Sequence, residues 1–364
     1  MKTYVLNLAI HPPAACIGGK RLEELVFDVT HRALASAGIE REEVDNVTIA
    51  ACDELDGRSI SSMLLAMPAG AYMKDEIKCT DTGLYALILG ALRIESGLHD
   101  VGLAVSWNKS STAPFEDVMR MRCDPFYVRP IGLNATIADG LFARAMADKF
   151  GITEDDVNEA TLRAYARASR NTRAVGGGIP TPAEIANSPY VSFPLRQRHQ
   201  APLTDGAVAM VLVSERWLAR HPRHQPLARL AGFGWTTDGY NLGADRLSNL
   251  RSFRRCIEDA SSRAGLHSLD EVDVLELDCQ TGYHAAAYSR ALGLSGDERT
   301  GPSGGAFAQN PYFCSGLVNA AEAVLQVSGS AGAIQIPGAR RALAHASHGF
   351  AQQANGAAIF EKAN

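Results

Sequence analysis

One helix–turn–strand pattern occurs twice in this sequence, over residues 35–53 and again over residues 262–280. In both copies an amphipathic segment ends in Ala-Gly-Ile or Ala-Gly-Leu, a short polar link follows, and Glu-Val-Asp leads into an apolar run. Gly38 and Gly265 fall where the end of a helix favours a left-handed residue. Any two helix–turn–strand units share some of these features, but the shared letters favour two similar halves built from one repeated unit.

The segments that follow the two copies also correspond. In the first half, apolar residues at helical spacing over 84–94 precede a strand at 101–107. In the second half, a helix at 317–327 precedes a strand at 331–336. Strands that alternate with helices of this length predict sheets with parallel pairing, buried on both faces, and therefore an α/β fold.

The two halves predict the domain organisation. We assign residues 1–225 to the N-terminal half and residues 226–364 to the C-terminal half. The N-terminal half is interrupted by a less regular insertion at about 110–200 and closes with an apolar strand at 204–217. Insertions of this kind usually cover the mouth of an active site, because loops carried by a rigid scaffold bear function.

Composition narrows the class of protein. The chain has 364 residues, 46% of them hydrophobic, and a formal net charge of −5 without a block of like charge. This argues against a surface for nucleic acid or anionic membranes, and no apolar run is long enough to span a bilayer. Residues 1–13 lack a small-residue cleavage site and predict a first β-strand rather than a signal peptide. Seven cysteines without a Cys-x-x-Cys pair predict a reducing compartment, so we expect a cytoplasmic protein of enzyme size.

Several motifs make the chain similar to a known superfamily. They are Thr204-Asp205-Gly206-Ala207 at the start of an apolar strand, the helical text of residues 149–174, Ser303-Gly304-Gly305, Asn310-Pro311 and Ser315-Gly316. Together with the duplicated halves they resemble the thiolase superfamily over nearly the whole chain, most closely the sterol-carrier-type thiolases and their acyltransferase relatives. The resemblance implies a duplicated five-layer αβαβα sandwich with mixed sheets and an inserted loop and helical region.

The same resemblance implies substrates and partners. The substrate would be an acyl thioester of coenzyme A or of a carrier protein, with no permanently bound cofactor. Such proteins are usually homodimers or dimers of dimers, and several non-standard relatives work with a small OB-fold, zinc-ribbon partner protein. No metal site is expected, because His221 and His224 stand in a proline-containing loop without further ligands.

The superfamily's nucleophile is a cysteine at the N-terminus of a buried helix in the first half. Cys79 stands just before the apolar helix, and a helix N-terminus lowers the pKa of a thiol. The spacing back from Gly97, which matches the glycine that ends this helix in the relatives, instead selects Thr80. The nucleophile position therefore belongs either to Cys79 or to Thr80, which would need a strong neighbouring base to attack a thioester. A structural, buried role for Cys79 is the third reading.

In the C-terminal half, the resemblance places Asn310 where thiolases have the histidine of Gly-His-Pro. In the ketosynthases that open fatty-acid synthesis an asparagine holds this position, and an amide N–H directed at a developing oxyanion suits such a site. Asn310 could also cap the helix before Pro311. Asp278 and Cys279 match the Asp-Cys of a sterol-carrier-type His-Asp-Cys-Phe motif, in which Leu277 replaces the histidine. Asp278 either accepts a hydrogen bond in the site or caps the next helix.

The C-terminal loop at 342–356 occupies the place of a Cys-x-Gly loop that supplies the general base in thiolases. It contains no cysteine, and Ser347-His348-Gly349 is the nearest substitute. His348 could take a proton at neutral pH, or it could be structural. We predict that Gly349 and Tyr312 contact the substrate. His284 and His345 are expected outside the catalytic group.

These residues predict a thiolase-like acyltransferase or a C–C bond-forming, Claisen-type condensing enzyme. In this hypothesis Cys79 accepts the acyl group, Asn310 and backbone amides near Gly349 hold the oxyanion, and His348 moves the proton with help from Asp278.

Two alternatives stay open. A thiolase-like chain with replaced histidines and a shifted cysteine could be a non-catalytic subunit that scaffolds an active partner. It could also be a retro-aldolase that relies on tyrosines, for which Tyr85, Tyr283 and Tyr312 are candidates.

Overall fold

The computed structural model describes residues 1–57 and 60–363. Its strands are β1 (Thr3–Ile10), β2 (Asn46–Ala50), β3 (Asp75–Cys79), β4 (Val101–Lys109), β5 (Tyr190–Ser192), β6 (Leu195–Arg196), β7 (Asp205–Ser214), β8 (Ala228–Thr237), β9 (Val274–Glu276), β10 (Arg341–His348) and β11 (Ala354–Lys362). Its helices are α1 (Leu22–Ala37), α2 (Asp53–Asp56), α3 (Ser62–Leu65), α4 (Gly83–Glu95), α5 (Phe115–Met121), α6 (Ala135–Phe150), α7 (Glu154–Ala168), α8 (Pro182–Ala186), α9 (Glu215–Arg220), α10 (Ala244–Asn249), α11 (Arg251–Ala264), α12 (Gly282–Leu292) and α13 (Ser315–Ser328).

Strand pairing repeats the duplication seen in the sequence. In the first half β2 pairs in parallel with β4, β4 pairs antiparallel with β7, and β7 pairs antiparallel with β1. In the second half β9, β10, β11 and β8 pair in the same order and with the same directions. A short antiparallel contact between β1 and β8 joins the halves, so the strand order is β3-β2-β4-β7-β1-β8-β11-β10-β9. The predicted α/β fold of two similar halves is confirmed.

The helices form three layers around this sheet. α1 covers the outer face of the first half and α11 covers that of the second, each over its own apolar core. α4 and α13 pack against each other between the two halves, and nearly every side chain of α13 is buried. A helix that is buried on nearly all sides must lie between other layers of the fold. The predicted five-layer sandwich is therefore correct, with α4 and α13 as its central layer.

The repeated unit also has the predicted local structure. α1 and α11 end at Gly38 and Gly265, whose φ angles are 65° and 72°. Only glycine adopts this left-handed conformation without steric cost, which explains the Ala-Gly pair in both copies.

Two strands differ from the prediction. The strand expected at 331–336 is wrong, because this segment is a turn with a short 3₁₀ helix at Gly332–Ile334. Gly332 has a left-handed φ of 69°, and Pro337, which follows the segment, has no N–H to donate. Neither residue suits the hydrogen-bond pattern of a β-strand. The strand β3 was missed, because it is an edge strand whose side chains are exposed or only half-buried.

The insertion carries α5 to α8 and the β5–β6 hairpin. Its helices α6 and α7 pack on α12 of the C-terminal half. No helix in the described ranges is both long and apolar enough to cross a membrane.

Candidate active site

The two central helices begin side by side. A Cβ atom on Gly83, the first residue of α4, would lie 2.7 Å from the Cβ of Leu317, and one on Gly316 would lie 2.3 Å from Thr82 Oγ1. Both positions therefore require glycine. Within the described residues no side chain caps the first turn of either helix, so two positive dipole ends converge at one place. Such a place favours an anionic group or an oxygen that gains negative charge. The N–H groups of Tyr85 and Ser315 already donate to the carbonyl oxygens of Thr82 and Tyr312.

Asp81 lies at this place, between β3 and α4. It has a left-handed φ of 59°, and only 5% of the residue is exposed. Arg122 Nη2 donates to Asp81 Oδ2 at 2.5 Å. Burial alone would raise the pKa of the Asp81 carboxyl, but the neighbouring His348 and Arg122 outweigh burial and lower that pKa. Asp81 is therefore a buried carboxylate at neutral pH.

Arg122 is itself held from two further sides. Its Nη1 donates to Cys52 Sγ at 3.2 Å, and its guanidinium lies over the ring of Phe313, 5.1 Å from the centroid. Burial lowers its pKa, but the charge of Asp81, the hydrogen bond to it, and the nearby Cys52 and Glu54 together outweigh burial and raise that pKa, so Arg122 stays positive. The pair is thus a fixed feature at the start of α4.

His348 ends β10 and faces the same carboxylate. Its Nδ1 lies 3.6 Å from Asp81 Oδ2, an ion-pair distance that is longer than a normal hydrogen bond. The edge of the Tyr85 ring packs on the imidazole, with ring centroids 5.1 Å apart. His348 Nε2 is buried and has no hydrogen-bond partner among the described residues. In a neutral ring with its proton on Nδ1, toward the carboxylate, Nε2 would be an acceptor.

Cys79 lies outside this group of contacts. It is the last residue of β3, separated from α4 by residues 80–82, rather than at the helix N-terminus as expected. Its Sγ donates to the carbonyl oxygen of Ile49 at 3.4 Å, and burial, together with the charge of Asp81, raises its pKa to about 12. Thr80 is exposed. The nucleophilic role of Cys79 or Thr80 stays a prediction.

A chain of hydrogen bonds connects the C-terminal elements. Asp278 Oδ2 accepts from the backbone N–H of Ser347 at 3.0 Å, next to His348. Asp278 Oδ1 accepts from Gln280 Nε2 at 2.7 Å, and Gln280 Oε1 accepts from Asn310 Nδ2 at 2.8 Å. Burial raises the pKa of Asp278 despite these donors. The chain thus fixes Asn310 relative to the residue that precedes His348.

These contacts bear on the capping alternatives. The cap of α12 is Thr281, whose side chain accepts from the backbone N–H of His284, so Asp278 does not cap this helix. Pro311, rather than Asn310, precedes the short 3₁₀ helix Tyr312–Cys314. Asn310 uses one N–H for Gln280 and keeps a second, while its Oδ1 is buried without a partner among the described residues. Its role as an oxyanion donor stays a prediction.

The two other histidines of this region are buried. His284 stacks on Phe142 with ring centroids 4.5 Å apart, and burial lowers its pKa to about 3. His345 lies inside β10, where its Nδ1 accepts from the backbone N–H of Asp278 at 3.3 Å. Burial lowers its pKa to about 4. Both rings are therefore neutral at physiological pH.

Several polar residues of the site were missed by sequence reasoning. Asp81 lies within the motif that directed attention to Cys79 and Thr80, whereas Arg122 and Asp139 come from the insertion, where no local pattern marks them. Burial, and then the charges of Glu116 and Asp278, raise the pKa of Asp139 to about 7. A carboxyl group whose pKa is close to neutral is a candidate functional group.

The tyrosines have different surroundings. Burial, and then the charges of Asp139, Asp278 and Asp81, raise the pKa of Tyr312. Tyr85 OH donates weakly to the Asn355 carbonyl oxygen at 3.4 Å. Tyr283 belongs to the C-terminal apolar core.

Gly349 follows His348 with a φ of 74°. A Cβ atom there would lie 2.9 Å from Gln353, so the turn after His348 requires glycine. Substrate contact by Gly349 and by Tyr312 stays a prediction. The described ranges contain no group of three or more histidine, cysteine, aspartate or glutamate side chains arranged to hold a metal ion.

Comparison with known proteins identifies relatives of the whole chain. No family model matches it. It is 26% identical to sterol carrier protein 2 of Gallus gallus over 358 residues, which cover 88% of this chain and 65% of that protein. It is 25% identical to the acetyl-CoA acetyltransferase of Methanothermobacter thermautotrophicus over 355 residues, which cover 88% of this chain and 90% of that enzyme.

A thiolase of known structure shares this fold. The crystal structure of human mitochondrial 3-ketoacyl-CoA thiolase in complex with CoA superposes with a TM-score of 0.82 and 18% sequence identity, over 100% of this chain and 98% of that one. The chain spans about two thirds of the sterol carrier protein and nearly all of the archaeal enzyme and of the human thiolase. Repeated halves, central helices and matched relatives agree, and the chain belongs to the thiolase superfamily.

Proposed function

We propose that this protein is an enzyme of acyl thioesters, an acyltransferase or a Claisen-type condensing enzyme. Membership of the superfamily supports this reaction class. The acetyl-CoA acetyltransferase among the relatives and the CoA complex among the structural neighbours support coenzyme A as the thiol carrier. A carrier-protein thioester presents the same reactive group.

The pairing of His348 with Asp81 is the observation that carries the proposal. Nδ1 lies 3.6 Å from the carboxylate, and Nε2 is a buried acceptor without a partner among the described residues. A general base needs this arrangement, with one nitrogen oriented by a carboxylate and the other free for a proton of the substrate.

The proposed step is removal of a proton from the carbon next to the thioester carbonyl. His348 Nε2 takes the proton, and the electron pair of the C–H bond moves into an enolate whose oxygen becomes negative. The Asp81 carboxylate stabilises the imidazolium that forms. The N–H groups of Gly83 and Leu84 at the start of α4 and the second N–H of Asn310 are the candidate donors to the enolate oxygen. The enolate then attacks an acyl carbonyl, which forms the C–C bond and releases the thiol.

A covalent acyl-cysteine would need a rearrangement at Cys79. The thiol is engaged with the Ile49 carbonyl oxygen, and its pKa of about 12 leaves little thiolate at neutral pH. We therefore propose proton transfer by His348 as the primary chemistry. Acyl transfer to Cys79 or to Thr80 remains a prediction from the sequence.

Exchange of the methyl protons of acetyl-CoA in D₂O, followed by mass spectrometry, tests this proposal without knowledge of the second substrate. His348→Ala should slow the exchange by at least about 100-fold, since a positioned general base contributes at least that factor. Cys79→Ala should exchange at a rate close to that of the unchanged protein.

The control is His267→Ala, because His267 is exposed. It should match the unchanged protein, and circular dichroism should show all three variants folded. Exchange that persists in His348→Ala would overturn the role of His348. An acetylated peptide containing Cys79, with exchange lost in Cys79→Ala, would instead establish the cysteine route.

The same preparation separates the two alternatives. A non-catalytic subunit would give no exchange alone but would restore activity when its partner from the host is added. A retro-aldolase would cleave a 3-hydroxyacyl-CoA into an aldehyde or ketone and a shorter thioester.

We also propose that the protein is a homodimer through the edge of β3. This strand ends the sheet, and the segment 62–77 that contains it carries the exposed apolar side chains of Met63, Met67, Tyr72, Met73 and Ile77. An open strand edge flanked by apolar side chains favours pairing with another chain. A small zinc-ribbon partner and a cytoplasmic location stay predictions from the sequence.

A further inference from the structure

One charged residue of the insertion reaches the pair that carries the proposed reaction. Arg122, which directly follows α5, donates from Nη2 to Asp81 Oδ2, the same oxygen that faces His348 Nδ1. We propose that Arg122 is a positioning residue for proton transfer, because it holds the Asp81 carboxylate in the orientation that directs the imidazole of His348. The inference rests on the proposed function, since it adds a residue to the same reaction.

Asp81 depends on this contact for its position. It stands in the turn between β3 and α4 with a left-handed φ of 59°, which is uncommon for a residue other than glycine. Arg122 supplies the only hydrogen bond to this carboxylate among the described residues, and Asp81 Oδ1 is buried without a partner there. The 3.6 Å between Asp81 Oδ2 and His348 Nδ1 is too long to fix the carboxylate by itself. Arg122 is therefore the group that sets where Asp81 Oδ2 lies.

The guanidinium of Arg122 is held in turn by two neighbours. Its Nη1 donates to Cys52 Sγ at 3.2 Å, and it lies over the ring of Phe313, 5.1 Å from the centroid. The planar fork of an arginine makes all of these contacts at once, whereas the ammonium of a lysine is a single point charge. A lysine at this position would keep the charge and lose the fixed geometry.

The charge of Arg122 also affects when the pair takes up a proton. Asp81 and His348 face each other at 3.6 Å, so uptake of a proton is a property of the two groups together. A positive charge at 2.5 Å from Asp81 Oδ2 opposes this uptake, whichever member receives the proton. Only the pair without the added proton can accept one from the substrate. Arg122 therefore extends the competent form of the pair to lower pH.

The other titratable groups around the pair are kept in every variant. They are Cys52, Glu54, Cys79, Tyr85, Asp278 and Tyr312. Burial raises the pKa of the two cysteines to about 12 and raises that of both tyrosines, so these four groups are neutral at and below neutral pH. A difference between the pH profiles of two Arg122 variants thus reports on Arg122.

The pH dependence of acetyl-CoA exchange in D₂O tests the inference with two variants. Arg122→Ala should lower kcat at neutral pH by at least about tenfold, a part of the factor that a positioned base contributes, and leave KM nearly unchanged. The pH at which its exchange is half-maximal should rise by at least about one unit, since loss of a neighbouring opposite charge shifts protonation by that much. Arg122→Lys should keep the half-maximal pH of the unchanged protein but still lower kcat.

Chemical rescue separates positioning from a purely structural role. Methylguanidinium, at concentrations far below those that unfold the protein, should restore part of the exchange of Arg122→Ala and none of that of His348→Ala. The matched control is Arg120→Ala on α5, because Arg120 is exposed and paired with Asp117. Its kcat and half-maximal pH should equal those of the unchanged protein.

An unshifted pH profile in Arg122→Ala, or exchange that methylguanidinium does not restore, would overturn the inference. If circular dichroism shows that Arg122→Ala does not fold, Arg122→Lys decides, because a kcat equal to that of the unchanged protein would overturn the positioning role.

An NMR titration of the imidazole separates this inference from the proposed function, because it needs no turnover. The signals of His348 are identified by their loss in His348→Ala, and their titration midpoint should be higher in Arg122→Ala than in the unchanged protein. This shift in a protein that shows no exchange would contradict the proposed chemistry alone. Exchange by the unchanged protein, with equal midpoints in the two proteins, would contradict the role of Arg122 alone.

Discussion

At the residue scale, buried carboxylates in this protein have opposite fates that depend on their neighbours. Asp81 is paired with Arg122 and faces His348, and its pKa is lowered. Glu276 in β9 is fully buried beside Glu322, and burial together with that second carboxylate raises its pKa from 4.5 to about 8. Ser303 donates to Glu276 from its hydroxyl at 2.6 Å and from its backbone N–H at 3.2 Å, but these bonds do not offset burial. Glu276 is therefore mostly protonated at neutral pH.

This state predicts a pH-dependent stability. Because the folded state holds the Glu276 proton up to about pH 8 and the unfolded state releases it near pH 4.5, the free energy of unfolding should fall as the pH rises between these values. Glu276→Gln removes this contribution. Relative to the unchanged protein, it should gain more than about 1 kcal/mol between pH 5 and pH 8 in urea unfolding.

The control for Glu276→Gln is Glu298→Gln, since Glu298 is exposed and paired with Arg167. Its difference from the unchanged protein should stay constant over the same range. Parallel pH profiles for Glu276→Gln and the unchanged protein would show that Glu276 is ionised in the folded state. Glu322, Arg167 and Arg173 also act on Glu276 and are kept in every variant.

At the element scale, the close crossing of α4 and α13 determines where the site forms. Gly83 and Gly316 let the first turns of the two helices touch, and both helix N-termini then meet near Asp81 and His348. A Cβ atom on Gly316 would also lie 2.5 Å from the Cβ of Ala346 in β10. The helix start, its partner helix and the strand that carries His348 are thus in contact around one glycine.

Gly316→Ala should therefore destabilise the fold and disturb the site together. Overpacking of this kind costs about 1–3 kcal/mol, and acetyl-CoA exchange should fall in the fraction that remains folded. The control is Gly243→Ala, because Gly243 has a φ of −73° and open space where the Cβ would be. Its free energy of unfolding should change by less than about 1 kcal/mol. Equal stabilities of the two variants in urea would contradict the close crossing.

The sequence predicts the elements whose side chains repeat with a clear period. Both copies of the helix–turn–strand unit, the central helices and the apolar strand β7 follow from apolar spacing and from Gly38 and Gly265. β3 could not be found in this way, because three of its five side chains, Asp75, Glu76 and Lys78, are charged and the strand lacks a buried face. The strand predicted at 331–336 is wrong because the apolar residues of this segment lie in a turn.

The site was predicted less completely than the fold. His348, Asp278 and Asn310 were identified through the resemblance to thiolase motifs, and hydrogen bonds connect the elements that carry them. Arg122 and Asp139 come from the insertion, and only tertiary packing brings them to the other half. No local pattern in the sequence records such a contact.

At the scale of the whole molecule, one edge strand of the sheet is left open. On its side away from β10, β9 forms a single β-bridge between Leu275 and Thr300. Arg167 of α7 donates a hydrogen bond to the carbonyl oxygen of Thr300 at this edge. β3 at the other end has no partner strand beyond it within the described ranges. The exposed side chains of Met73 and Ile77 flank that edge. The proposed dimer would cover it.

Ile77→Lys should convert the dimer to a monomer, because a lysine on an edge strand opposes pairing with another chain. Light scattering after size-exclusion chromatography measures the mass directly. The matched control is Val191→Lys on β5, since Val191 and Ile77 are both β-branched strand residues with 40% exposure. A monomeric unchanged protein, or a dimer that withstands Ile77→Lys, would contradict an interface at β3.

The correspondence of α4 and α13 has a consequence for how the centre is assembled. They are the same element of two similar halves, and their first turns meet where the halves face each other. One half alone would present only one of these two turns, so both halves are needed to form the centre. Fission of the present gene between α9 and β8 should thus yield two inactive fragments, which regain activity only by reassociating.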